Sequence, residues 1–100
     1  MTGSLVEPET FICYPNPASK GELNVRVEIS GPAEVVIRLL NLEGEKVSSV
    51  RKSHDWPEGS VPFEVKLALE GISSGIYICN LEVLGSGKRW VGSRKFAIVR

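Results

Sequence analysis

Histidine occurs once in this chain and cysteine twice, so the side chains that would close around zinc are too few to make a site. Cys13 and Cys79 stand 66 residues apart, far from the short spacing of metal motifs. No cofactor is expected. Apolar runs fall well short of the roughly 18 residues that cross a bilayer as a helix. The opening M-T-G-S-L-V-E-P-E-T lacks the apolar stretch of a signal peptide. Glycine-rich phosphate loops and nucleophile-elbow spacings are missing as well. Twelve acids balance twelve bases, leaving no net field to collect nucleic acid. A helical period is nowhere sustained for ten residues. These absences remove most catalytic classes and every helical fold.

The balanced charge is unevenly distributed. All twelve acidic residues precede Lys88, while Lys88, Arg89, Arg94, Lys95 and Arg100 carry five of the twelve bases. A basic tail can serve an anionic partner. It also suits the solvated side of an edge strand, where Lys and Arg discourage pairing with other molecules. No aromatic-plus-basic stripe accompanies it, so nucleic acid is not an expected partner.

What the chain does have is alternation. Thr10–Tyr14 reads as a short first strand. In Glu22–Ser30, Leu23, Val25, Val27 and Ile29 share one face and Asn24, Arg26 and Glu28 the other. Glu34–Asn41 is apolar on both faces except at Arg38, as in a central strand. Glu43-Gly44 predicts a tight turn with Gly44 in the left-handed region. Lys46–Lys52 is polar and predicts an edge strand. Residues 53–60 form the longest irregular piece, and Val61–Leu69 alternates again. Gly75–Leu84 places Tyr77, Cys79, Leu81 and Val83 on one face. Arg89–Val99 closes the series, with an interruption expected at Gly92-Ser93. Seven strands in about 90 residues predict an all-β, antiparallel, immunoglobulin-like β-sandwich over residues 10–100. Residues 1–9 read as linker or cloning-derived sequence ahead of it, the whole being a piece of a longer protein.

Individual residues carry little chemistry. His54 beside Asp55 is the one pair resembling catalytic machinery, but sequence neighbours on a loop rarely converge with a nucleophile. A surface loop is the better reading. Trp56 and Trp90 could stack on sugar rings if exposed, or act as lids on the core. Tyr77 stands two residues before Cys79, as in a tyrosine corner, and its hydroxyl would then bond backbone near Gly71–Ser73. Cys13 and Cys79 are expected to approach each other across the core. They form either a disulfide or two small buried hydrophobes. The stretch F-I-C-Y-P-N-P-A-S-K-G lays down strand formers and then stops on Pro15 and Pro17, which donate no ladder hydrogen bond. Such a break suits a strand leaving one sheet edge to cross to a second sheet.

Taken in order, Y-P-N-P (Tyr14, Pro15, Asn16, Pro17), G-x-L-x-V, N-x-x-G-x-x-V (Asn41–Val47), G-I-S-S-G-I-Y (Gly71–Tyr77) and the terminal R-K-F-A-I-V-R resemble the C-terminal sorting domain of the type IX secretion system. They are similar also to the immunoglobulin-like domain of the flagellar hook-capping protein. The resemblance covers Phe11 to Arg100 and implies a non-catalytic module on a larger exported protein, at the cell surface or secreted. Its implied partners are the outer-membrane secretion machinery and an upstream cargo domain of the same chain. Tyr14–Pro17 would mark the domain start, Gly44 and Gly75 its turns, and Arg94, Lys95, Phe96, Ala97, Ile98, Val99 and Arg100 its sorting signal. The two cysteines are not required by the family pattern. The alternative is a carbohydrate-binding or spacer module appended to a secreted enzyme.

Overall fold

The computed structural model describes residues 5–55, 60–85 and 87–99. Among these residues seven strands are arranged in chain order: β1 (Val6–Tyr14), β2 (Glu22–Ser30), β3 (Ala33–Leu40), β4 (Lys46–His54), β5 (Ser60–Ala68), β6 (Gly75–Gly85) and β7 (Lys88–Ile98). They form a three-stranded sheet ordered β1-β2-β5 and a four-stranded sheet ordered β4-β3-β6-β7, every named pair antiparallel. No helix occurs among the described residues.

The two sheets face each other across one core because each alternating strand has an apolar side to bury. Leu23, Val25, Val27 and Ile29 of β2 meet Ile37 and Leu39 of β3 and Tyr77, Cys79, Leu81 and Val83 of β6. β3 lies between two partners in its sheet, as its two-sided apolar character requires, and Val36 on its outer face is also buried. Polar β4 is an edge, as expected.

Two turn motifs have visible causes. At Asn41 the side-chain Oδ1 accepts from the backbone N–H of Glu43 at 3.0 Å and of Glu45 at 2.9 Å, while Gly44 N–H donates to Asn41 O at 3.0 Å. This Asx-type turn needs a residue at φ 86°, which glycine adopts without steric cost. Between β5 and β6 the chain changes sheets, and the Tyr77 hydroxyl donates to Ser73 O at 2.8 Å. The tyrosine corner is thus formed, with the ring buried and tilted against Phe96 at 6.0 Å between centroids.

Three expectations need correction. β1 begins at Val6 rather than Thr10, because its pairing with β2 resumes on the far side of a wide bulge. Val6 pairs with Ile29 and Glu7 with Glu28, whereas the next partner of β2, Arg26, meets Ile12. Thr10 bridges the gap, its hydroxyl donating to Glu7 O at 2.6 Å and accepting from Glu28 N–H at 2.8 Å. The extra residues shift the phase of the strand, so Val6 and Phe11 are both fully buried although an odd number of positions separates them. The irregular piece expected over 53–60 is shorter, since β4 runs to His54 and β5 starts at Ser60.

Strand β7 is not interrupted at Gly92-Ser93. A Cβ at Gly92 would lie 2.4 Å from the Trp90 ring, so the glycine makes room for that indole rather than for a bend. Removing the Tyr77 hydroxyl tests the corner. Tyr77→Phe is expected to cost about 1 kcal/mol in urea unfolding with an unchanged m-value, because one buried hydrogen bond is lost and Ser73 O stays near solvent. An unchanged midpoint would show that the bond contributes nothing.

Candidate functional site

In a two-layer β structure, the first strand of one sheet and the last strand of the other can leave an open side. Here those strands are β1 and β7, and side chains and backbone close the gap between them. Arg94 of β7 reaches across to the bulge of β1. Its Nε donates to Phe11 O at 3.0 Å and one terminal nitrogen to Pro8 O at 2.9 Å. The other terminal nitrogen donates to Ser93 O at 3.0 Å, and the guanidinium carbon sits 4.6 Å from the centre of the Phe11 ring. The bulge diverts these carbonyls from the β2 ladder, and a planar five-donor group can serve them together. Trp90 completes this wall edge-on to Phe11, with 5.9 Å between ring centroids.

The Tyr14–Pro17 break supplies the second half of the closure. Both X–Pro bonds, Tyr14-Pro15 and Asn16-Pro17, are cis. Tyr14 is tied to the three-stranded sheet: its hydroxyl donates to a Glu64 carboxylate oxygen and its carbonyl accepts from Asn24 Nδ2 at 3.2 Å. Two residues on, Asn16 Oδ1 accepts from Ala97 N–H at 3.0 Å on the four-stranded sheet. Ala18 then donates to Ala97 O at 2.8 Å and accepts from Val99 N–H at 3.0 Å, forming an isolated parallel bridge with Ile98. The break therefore carries the chain from one sheet edge to the other, as its prolines suggested.

The predicted signal residues divide by environment. Phe96 and Ile98 are core residues, Ala97 is half-buried under residues 16–18, and Lys95 and Val99 are exposed. Arg94 is half-buried and engaged on β1, so it is not the free docking charge that the basic run suggested. Lys88 and Arg89 are exposed, Arg89 with its Nε 2.6 Å from Glu82 Oε2. Glu82 also receives Arg38 at 3.0 Å, and Arg38 bonds Asn80 Oδ1 at 3.3 Å, giving a polar ladder on the outer face. The bonds from Arg89 and then Arg38 hold the Glu82 carboxyl below the usual carboxylate range. Along Lys88–Lys95 the outer side of β7 has no strand partner among the described residues.

Other candidates are placed as follows. Cys13 and Cys79 are free thiols of the core between the sheets, Cys79 buried and Cys13 half-buried against it. Trp90 is half-buried, with Gly92 beneath its ring and Phe11 at its edge. Trp56 and Arg100 lie outside the described residues, as does the side chain of His54. No pocket and no metal-ligand cluster occur among the described residues. No helix among the described residues is long and apolar enough to cross a membrane. The residues that the pattern did not single out are Thr10, Asn16 as an acceptor, Ala18 and Arg94 as a clamp. Pro8 and Thr10 inside an otherwise alternating stretch were the available signal.

The family model for the secretion system C-terminal sorting domain matches residues 12–96. The chain belongs to that family, the C-terminal sorting domains of type IX secretion. The sorting domain is similar in fold to part of dimeric latent PorU from Porphyromonas gingivalis, with 23% identity and a TM-score of 0.73. That likeness covers 89% of this chain and 9% of PorU. It is similar also to part of the β-glucuronidase of Parabacteroides merdae, at 17% identity and a TM-score of 0.60 over 94% of this chain and 14% of the enzyme. The glycerol-bound structure of that enzyme gives 16% identity and 0.57 over 90% and 13%. At such identities the likeness is one of fold, and the chain spans only about a tenth of the length of these proteins. No curated protein matches the chain.

Two outcomes check the site. Arg94→Ala is expected to lose about 2–4 kcal/mol of stability, since two carbonyls and an aromatic face lose a charged partner, while Lys95→Ala stays within about 0.5 kcal/mol. Equal urea midpoints for the two variants would remove the clamp. Glu82 predicts an acid dependence. Its folded pKa is lowered from an ordinary 4.5, so its contribution is present above that value and is lost as pH falls through the folded pKa. Stability measured from pH 5 downward should fall more steeply in the native protein than in Glu82→Gln; parallel curves would contradict the ladder.

Proposed function

We propose that this domain is a non-catalytic sorting module that directs a larger exported protein through the outer membrane to the cell surface. The family match over residues 12–96 is the observation that carries the reading. Its build supports an immunoglobulin-like sandwich: three strands against four, with a tyrosine corner between β5 and β6. The partners in this reading are the secretion machinery and a cargo domain upstream in the same polypeptide.

The docking element is the β6–β7 hairpin, and within it the outer side of β7 from Lys88 to Lys95. An edge strand offers its unpaired N–H and C=O groups for strand addition, and exposed Lys88 and Lys95 add charge that favours an acidic partner. Residues beyond Lys95 serve a different purpose. Their outer backbone groups are occupied by Asn16 and Ala18, so Ala97–Val99 hold the strand in place rather than present it.

The domain fused behind a periplasm-directed reporter, in a bacterium that possesses the pathway, is expected to bring the reporter to the cell surface. Lys88→Glu/Lys95→Glu should reduce surface reporter at unchanged stability. Charge reversal of Arg94 is unsuitable because it removes the clamp on β1. Surface delivery that persists without the whole domain would overturn the sorting function. Delivery that needs the domain but ignores the double reversal would take the role away from those two lysines.

A further inference from the structure

Cys13 and Cys79 come from different sheets. Cys13 pairs with Val25 on β1, and Cys79 sits between Leu39 of β3 and Arg94 of β7. Arg94 links their strands: directly opposite Cys79, it holds the carbonyl of Phe11, two residues along β1 from Cys13 and on the same face. Cys79 is fully buried in the core, whereas Cys13 is half-buried and packed against it. Both side chains pack into the one core between the sheets, and each thiol perturbs the ionisation of the other. Packing alone asks only for two small apolar side chains here, and the proximity of two sulfurs adds a chemistry that packing does not need.

We propose that Cys13 and Cys79 form a redox pair that closes to an intersheet disulfide when the domain meets a disulfide oxidant. Their surroundings assign different roles. The neighbouring Cys79 thiol, and after it the charge of Arg94, hold Cys13 below the ordinary thiol range. Cys13 and burial in turn push Cys79 up. Cys13, the more exposed sulfur, is therefore the attacking thiolate. It attacks one sulfur of the oxidant R–S–S–R, forming a mixed disulfide and releasing R–S⁻. Cys79 then gives up its proton and attacks Cys13 Sγ, and the second R–S⁻ departs. Two thiols are oxidised, one disulfide is reduced to two thiols, and the new bond ties β1 to β6 behind the Arg94 clamp.

The test is to reduce the protein, remove the reductant and incubate it folded with oxidised glutathione. Thiols are then counted after denaturation and the intact mass is measured. The expected product is a monomer with no reactive thiol, lighter by two hydrogen atoms, whose Tm is higher by on the order of 10 °C and returns on adding dithiothreitol. Cys79→Ala should stop at a glutathione adduct on Cys13, while Cys13→Ala should leave Cys79 unmodified in the folded state. Two thiols surviving in the native protein, an adduct that does not close, or disulfide-linked dimers would each overturn the proposal. The native protein's thiol count decides the matter even if a variant does not fold. Adduct formation at Cys79 but not at Cys13 would reverse the assigned roles and overturn the mechanism.

Discussion

The guanidinium of Arg94 holds together two edges that the hydrophobic effect alone would leave apart. Apolar burial is non-directional, and it explains why the two sheets face each other but not why β1 stays beside β7. The carbonyls of Pro8 and Phe11 are turned out of the β2 ladder by the bulge and need a donor. A side chain with several fixed donors can meet both, stack on the Phe11 ring, and leave the strand it comes from fully paired with β6. The Tyr14–Ala18 segment continues the same closure with backbone partners. Together they confine the unpaired backbone of β7 to the stretch before Lys95.

This arrangement gives the basic residues of the last strand separate tasks. Arg94 is structural, Arg89 and Arg38 share the Glu82 carboxylate, and Lys88 and Lys95 stand in solvent. A charge count treats the five bases as one patch. Their positions along an alternating strand do not, because β7 turns successive side chains to opposite faces. Trp90 and Arg94 point towards β1, while Arg89 and Lys95 lie on the other face. Position on the strand, more than sign of charge, decides which of these residues a partner could meet.

Much of the architecture was legible in residue alternation. The bounds of β2 are those of its pattern, and β3, β5 and β6 are shifted by about one residue at their ends. Asn41–Gly44 and Gly71–Tyr77 announced their turns because the chemistry there is local: a side chain bonding its own backbone, or a hydroxyl reaching four residues back. The β1 bulge was not legible, since the insertion of residues into one strand is defined only against the partner strand. Gly92 misled for a related reason. Its requirement is set by the Trp90 ring lying over it, a contact that turn preferences do not encode. The family was readable from four motifs and a terminal strand in order, whereas the clamp depends on contacts 83 and 86 residues apart.

Those separations bear on when the fold can exist. The contacts that seal β1 against β7 join the first strand to the last, and the Asn16–Ala97 bond spans 81 residues. A chain emerging from the ribosome makes β1 early and must hold its outward carbonyls in water until β7 arrives. Completion of the fold therefore follows synthesis of all six preceding strands. A polypeptide cut short would carry the Tyr-Pro-Asn-Pro segment with nothing to cross to. The sealed edge thus exists only in a chain whose last strand has been made.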